Sequence, residues 1–142
     1  MALTFVRICA LLIGLRSFTN FGKLFNNDSV LVFFGRILRD GDVTIPALGV
    51  GLFMLTTAMA MWKPSTWALP LVVVYTAYVA VNLVSWTVSN PQEFVHVGAR
   101  LSSATDPAQL HWIGVLGFLG YCVVAMATTA GPAWILWQRR RA

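Results

Sequence analysis

Apolar residues are concentrated in stretches that are long enough to cross a lipid bilayer as helices. These stretches are 2–21, 46–62, 67–88 and 110–137. Only the first contains charged residues, Arg7 and Arg16. A hydrocarbon core of about 30 Å needs roughly 20 mostly apolar residues in a helix. The pattern therefore predicts an all-α fold, an integral membrane four-helix bundle that forms a single domain over residues 1–142.

Polar residues interrupt this pattern after the first span. Asn26-Asn27-Asp28-Ser29 ends the helix and offers an N-cap for another one. In a helical projection, residues 30–39 place apolar side chains on one side and two arginines, Arg36 and Arg39, on the other. Ten residues are too few to span, so the segment is predicted to be a short interfacial helix.

A second short interfacial helix is predicted between the third and fourth spans. Asn90-Pro91-Gln92-Glu93 resembles a capping box, and the helix is expected to run to about Leu101. The second and fourth spans are predicted to begin at a cap residue followed by a proline in the first turn. These pairs are Thr44 with Pro46 and Asp106 with Pro107.

A polar face runs along the end of the first span. At 100° per residue, Arg16, Asn20 and Lys23 share this face. Two interpretations are open for Arg16. It either anchors the span by snorkelling to the interface, or it contacts a partner's carboxylate or a lipid phosphate, which suits its bidentate geometry. On the second interpretation, the partner- or lipid-contacting residues are Arg16, Asn20, Lys23, Arg36 and Arg39.

A second polar stripe lies on the third span and contains Tyr75, Tyr78, Asn82 and Ser85. Polar side chains in a span usually face the bundle interior. Asn82 is expected either to form an interhelical hydrogen bond, worth about 1 kcal/mol, or to contact a ligand such as a quinone. The candidate pocket consists of Tyr75, Tyr78, Asn82 and Tyr121.

Small residues recur at helical spacing on the second and fourth spans and predict close helix packing. On the second span this ridge is Ala47, Gly51, Met54, Ala58 and Met61. On the fourth span it is Gly114, Gly117, Tyr121, Ala125 and Thr128. Together the ridges offer more packing surface than a compact bundle needs. Gly131-Pro132 is predicted to kink or end the fourth helix.

Charge and reactive residues narrow the classes of function. The net charge is +5, but the basic residues are scattered at span ends, which argues against a nucleic-acid partner. Cys9 and Cys122 lie in separate spans without a C-x-x-C motif, which argues against a thiol–disulfide relay. The interiors of the last three spans contain no ionisable residue, unlike those of an ion-coupled exporter.

The chain contains no recognisable catalytic constellation, so we expect a protein that is not an enzyme and has no cofactor. The two histidines, His96 and His111, lie outside the apolar cores. They are expected to be solvated. The alternative is a weak metal site with Glu93, Asp106 or Asp42, because imidazole and carboxylate groups are common metal ligands.

The charge distribution predicts an orientation. Four spans place both termini on one side, which holds five of the ten basic residues, Arg7, Lys63 and Arg139-Arg140-Arg141. The two sides therefore hold equal numbers of basic residues, and the positive-inside rule alone favours neither orientation. The arginine triplet directly follows the last span, and all five acidic residues fall on the other side. We therefore expect a multi-pass protein of the bacterial inner membrane with both termini in the cytoplasm.

One stretch carries a family resemblance. The pattern Arg7…Gly14…Gly22-Lys23-Leu24 resembles the first helix of DoxX-like four-helix membrane proteins, and a fourth helix ending in Gly131-Pro132 is compatible with it. The Gly-Lys pair is closer here than is usual in that family. The resemblance covers about 20 residues and implies a four-helix bundle. It implies little chemistry, since some relatives are small subunits of quinone-linked oxidoreductases.

The function predicted from these features is that of a non-catalytic accessory subunit of a larger bacterial membrane complex, a transporter or a respiratory assembly. Its partners would be larger integral membrane subunits and membrane lipids. The alternative is a small membrane protein that binds a lipid or a quinone in the candidate pocket. A third possibility is a small subunit of a quinone-linked oxidoreductase.

Overall fold

The computed structural model describes residues 2–25, 30–63 and 65–141, without the side chains of Val30 and Asp40. These residues form five α-helices and one two-stranded sheet. The helices are α1 (Ala2–Gly22), α2 (Thr44–Trp62), α3 (Ala68–Ser89), α4 (Glu93–Leu101) and α5 (Pro107–Arg141). The strands are β1 (Val30–Phe33) and β2 (Arg36–Arg39).

Four of the helices, α1, α2, α3 and α5, are long and apolar enough to cross a membrane. Their bounds agree with the predicted spans to within a few residues. Large apolar side chains such as Leu15, Phe18 and Val123 are exposed on the outer surface of the bundle. Water disfavours so much exposed apolar surface, whereas acyl chains do not. The all-α membrane-bundle prediction is thus confirmed in its architecture.

Neighbouring long helices are antiparallel, and α1, α2, α3 and α5 surround the core in that order. The Cβ atom of Ala58 lies 3.7 Å from the position that a Cβ would take at Gly14. Phe53 of α2 contacts Tyr75 of α3, with ring centroids 6.0 Å apart. Trp86 of α3 stacks on Phe118 of α5 at 4.8 Å. We call the end with the chain termini the terminal end, and the other the hairpin end.

The small-residue ridge of α2 is used inside the chain. Ala47, Gly51, Met54, Ala58 and Met61 are all buried. A Cβ at Gly51 would lie 2.9 Å from the Phe21 ring, so the missing side chain allows this aromatic residue to pack there. The ridge therefore joins α2 to α1 and the core, as expected for small residues at helix crossings.

The predicted interfacial helix over residues 30–39 is wrong, because this segment is a β-hairpin. The strands pair antiparallel with Phe33 opposite Arg36. Phe34 and Gly35 have positive φ angles of 49° and 77°, as in the two-residue turns that match the twist of paired strands. The run Val30–Phe33 is rich in β-branched and aromatic residues, which favour strands.

The second interfacial segment is a helix, α4, as predicted, but its start differs from the prediction. The Asn90 side chain does not cap α4; it donates to the carbonyls of Gly35 and Trp86. At the start of α5, the Asp106 carboxylate accepts from the Ala108 N–H at 3.2 Å, which confirms that cap.

Two further details differ from the sequence predictions. No side-chain cap hydrogen bond precedes α2, which begins at Thr44 itself. Of the two outcomes predicted for Gly131-Pro132, the end of the helix is wrong, because α5 continues to Arg141; the kink stays a prediction. The predicted cap at Asn26-Asn27-Asp28-Ser29 lies outside the described residues.

Candidate functional site in the bundle interior

A cavity of about 590 Å³ lies between α1, α3 and α5 near the hairpin end. The hairpin and α4 close it, with Leu31 and Val32 from β1 and Val97 and Leu101 from α4 in its wall. We call this space the upper compartment. It brings together the polar face of the first span and the polar stripe of the third span.

Helix α1 and the turn that follows it supply the cationic side of the upper compartment. Arg16, Asn20 and Lys23 all line it, as their spacing of four and three residues indicates. Asn20 is buried, and its amide nitrogen lies 3.4 Å from the Arg16 carbonyl and 3.3 Å from the Met54 sulfur. The predicted common face therefore lines the cavity, with Asn20 buried, Lys23 half-buried and Arg16 exposed at its outer edge.

The three tyrosines of the chain also line the upper compartment. Tyr75 and Tyr78 stack with ring centroids 6.4 Å apart on α3. Across the cavity, the Arg16 guanidinium donates to the Tyr121 hydroxyl and lies 5.3 Å from the centroid of its ring. A hydrogen bond and a cation–π contact thus join α1 to α5.

Asn82 lines the upper compartment and also holds the hairpin. Its side-chain oxygen accepts from the Phe34 N–H at 2.7 Å. The Asn90 side chain donates to the Gly35 carbonyl at 3.0 Å, and the Phe34 ring packs edge-on against Tyr78. The hydrogen bond expected of Asn82 exists, but it joins a span to the hairpin rather than to another span.

A smaller space of about 170 Å³ lies beside the upper compartment, toward the middle of the bundle. We call it the lower compartment. The two spaces share Arg16, Tyr75, Val79 and Tyr121 in their walls.

The wall of the lower compartment is mainly apolar. Leu12, Ile13 and Val124 are among its lining residues. Thr128 and Thr129 also line it, but their hydroxyls donate to carbonyls of their own helix, which satisfies these donors locally. The two compartments therefore differ in polarity.

The charges around the site are of one sign among the described residues. Arg16 and Lys23 line the upper compartment, and no acidic side chain of the described part of the chain does so. Asn20, Asn82 and the tyrosines add polar groups that both donate and accept. The arrangement can bind an anionic or strongly polar group next to an apolar chain.

The remaining candidate residues lie elsewhere. Arg36 and Arg39 are exposed on β2 and are absent from the walls of both compartments. His96 is exposed, whereas His111 is half-buried against Phe94 with ring centroids 5.7 Å apart. Within residues 2–25, 30–63 and 65–141, no group of three or more potential metal ligands was found.

Several lining residues were missed from the sequence, among them Leu31 and Val32 of the hairpin and Val97 of α4. They belong to segments that were predicted to lie at the membrane surface. The signal in the sequence is Gly35, which follows a run rich in β-branched residues and is a residue type that favours turns.

No protein-family model, curated protein or solved structure matches the chain. The resemblance of the first helix to DoxX-like proteins stays a prediction.

Proposed function

We propose that this protein binds an amphiphilic small molecule, a membrane lipid or a quinone, in the two compartments of the bundle. One observation carries the proposal. A cavity of about 590 Å³ with cationic and hydroxyl groups lies next to an apolar space of about 170 Å³, and four residues line both. An amphiphile likewise has a polar headgroup next to an apolar chain, so each part would have a compartment of matching polarity.

The size and composition of the upper compartment support this proposal. Small-molecule sites usually enclose about 300–1,000 Å³ and combine apolar walls with a few placed polar groups. The upper compartment falls within this range. Its walls contain Val50, Val79 and Leu83 beside the tyrosines and asparagines.

The proposal is tested by filling the space that the compartments share. Val79 lines both compartments and is only 9% exposed, whereas Val81 on the same helix is 49% exposed and lines neither. Val79→Phe is expected to lower the content of copurifying lipid or quinone about tenfold, equivalent to about 1.4 kcal/mol. Val81→Phe is the matched control and should retain it. Native mass spectrometry and solvent extraction measure the content.

Thermal unfolding of both variants in the same detergent separates loss of binding from loss of fold. Equal ligand content in the unmutated protein and in a folded Val79→Phe variant would contradict the proposal. So would a purified unmutated protein that contains no lipid or quinone and takes up none when these are added.

The accessory-subunit function is a second proposal. The ridges that motivated it are largely occupied within the chain, since Gly51 packs on Phe21 and Gly114 on α4. The observation that still favours it is an apolar groove on the outer surface between α1 and α2. This groove encloses about 220 Å³ and is lined by Gly14, Ala58 and Trp62, among others. A large particle of fixed stoichiometry, purified from native membranes in mild detergent, would support it; a particle containing only this chain would contradict it.

We also propose that the chain lies in a bacterial inner membrane with both termini in the cytoplasm. Arginine and tryptophan side chains contact each other at the terminal end, which supports this orientation. Arg7 lies 6.0 Å from the Trp62 ring centroid and Arg141 lies 3.8 Å from that of Trp137. Basic residues next to spans favour the cytoplasmic side, and tryptophans favour the interface.

A further inference from the structure

We infer that the amphiphile has an anionic headgroup, a carboxylate or a phosphate, bound between Arg16 and Lys23, with its apolar chain in the lower compartment. This inference depends on the proposed function and adds to it the chemical class of the ligand and its orientation. It also assigns a route of access from the bilayer between α1 and α5.

The charge of the upper compartment is the first observation behind this inference. Arg16 and Lys23 lie seven residues apart, about 10 Å along a helix, and both side chains line the same space with Asn20 between them. Charged residues at membrane depth are costly unless they are paired. Among the described side chains in the wall, none is acidic. An anionic headgroup would supply a countercharge to these two cationic side chains.

The contact with Tyr121 uses only part of the hydrogen-bonding capacity of Arg16. Its guanidinium donates to the neutral Tyr121 hydroxyl, but a guanidinium has five N–H donors in a planar fork. This fork matches the two oxygens of a carboxylate or a phosphate. Tyr121 therefore orients the arginine without neutralising it.

The position of the compartments along the helices gives the orientation. Lys23 follows the last turn of α1, whereas Leu12 and Val79, which line the lower compartment, lie near the middles of α1 and α3. A ligand with its headgroup at Lys23 and its chain at Leu12 would point from the hairpin end toward the centre of the bilayer. A lipid in the adjacent leaflet has the same orientation.

Access is assigned to the seam between α1 and α5. Tyr121 and Val124 line the compartments and yet are 42% and 62% exposed. Arg16 and Leu12 on the opposite side of the seam are also exposed. Side chains that face both the cavity and the outer surface mark an opening toward the surrounding lipid.

The test uses pairs of ligands that have the same apolar part and differ in whether the headgroup is anionic or neutral. The full chain is placed in neutral phosphatidylcholine nanodiscs, and binding of palmitic acid is compared with binding of hexadecanol by tryptophan fluorescence and native mass spectrometry. Phosphatidic acid and diacylglycerol form the second pair. We expect each acid to bind at least about tenfold more tightly than its neutral counterpart, which is about 1.4 kcal/mol. The acid that binds with the higher affinity identifies the headgroup as carboxylate or phosphate.

Variants locate the headgroup. Arg16→Gln and Lys23→Gln should each weaken binding of the acid about tenfold and leave hexadecanol unchanged. Arg36→Gln is the matched control, because Arg36 is exposed at the same end and lines neither compartment. Arg16→Lys, which keeps the charge, should retain part of the affinity. Since the ligand pairs are compared on the unmutated protein, misfolding of a variant does not obscure the result.

The outcomes separate this inference from the proposed function. If hexadecanol binds as tightly as palmitic acid and Val79→Phe abolishes both, the amphiphile site stands and the anionic headgroup is contradicted. If acid binding is unchanged in folded Arg16→Gln and Lys23→Gln variants, the assigned headgroup position is contradicted. If no member of either pair binds, the inference fails, and the proposed function fails as well if an added quinone is not bound either.

Discussion

Asn82 lies within α3 and Asn90 directly follows it. Both side chains hold the turn of the hairpin, one as an acceptor and the other as a donor of hydrogen bonds. Asn82 accepts a hydrogen bond from the Phe34 N–H, while Asn90 donates to the Gly35 carbonyl. Asn90 is buried and donates a second bond to Trp86. A carboxylate can replace the first asparagine as an acceptor, but it has no N–H to replace the second as a donor.

This difference gives a prediction at the residue scale. Asn90→Asp is expected to loosen the hairpin by about 1–3 kcal/mol, since it leaves the buried Gly35 carbonyl without its side-chain donor. Hydrogen–deuterium exchange of the peptide that contains β1 and β2 should therefore be faster. Asn82→Asp is the matched control and should leave this exchange unchanged or slower. Equal acceleration in the two variants would contradict the assigned donor and acceptor roles.

At the scale of elements, α4 and the first part of α5 pack so closely that their backbones are in contact. A Cβ built at Gly98 would overlap the Leu110 carbonyl, and one at Gly114 would overlap the Phe94 carbonyl. Only hydrogen atoms fit at these positions. The aromatic cluster of Trp86, Phe94 and Phe118 surrounds this contact, with ring centroids 4.8–5.5 Å apart. The contact positions Val97 and Leu101 in the wall of the upper compartment.

The prediction for this contact compares two glycines of the same helix. Gly114→Ala is expected to destabilise the protein by about 1–3 kcal/mol, as overpacking of a tight interface usually does. Gly120→Ala is the control, because no atom lies within 4 Å of a Cβ at that position. There, alanine should be neutral or stabilising by up to about 1 kcal/mol. Thermal unfolding in one detergent measures both; an equally stable Gly114→Ala variant would show that α4 packs differently.

At the scale of the whole molecule, the antiparallel order of α1, α2, α3 and α5 separates two chemically different ends. The terminal end carries the arginine–tryptophan contacts, and the Arg140 guanidinium there donates to the Thr66 carbonyl. The hairpin end carries β1, β2 and α4, which cover the upper compartment. The proposed orientation puts the covered end of the cavity outside the cytoplasm.

Cysteine accessibility tests this orientation. Cys9 is buried and Cys122 is half-buried, so both are first replaced by serine. In that background Ser103→Cys, at the hairpin end, should react with a membrane-impermeant maleimide in intact spheroplasts. Ser65→Cys, at the terminal end, should react only after permeabilisation. Both serines are exposed. The reverse labelling pattern would contradict cytoplasmic termini.

Part of the fold and of the site was predictable because hydropathy and helical periodicity are local properties. The spans follow from runs of apolar residues, and the shared faces of Arg16, Asn20 and Lys23, and of Tyr75, Tyr78 and Asn82, follow from 100° per residue. Each face lines the upper compartment. Periodicity cannot indicate that the two faces line the same compartment, because it carries no information about which helices are neighbours.

The sequence by itself determined the number of spans, their bounds and which side chains share a face. Only the tertiary structure decided that residues 30–39 form a hairpin and that the polar faces enclose one cavity. The turn at Phe34 and Gly35 is held by partners 48 and 55 residues away, and Arg16 meets Tyr121 across 105 residues. These long-range contacts stabilise a left-handed turn and a cationic cavity wall that local propensity does not favour.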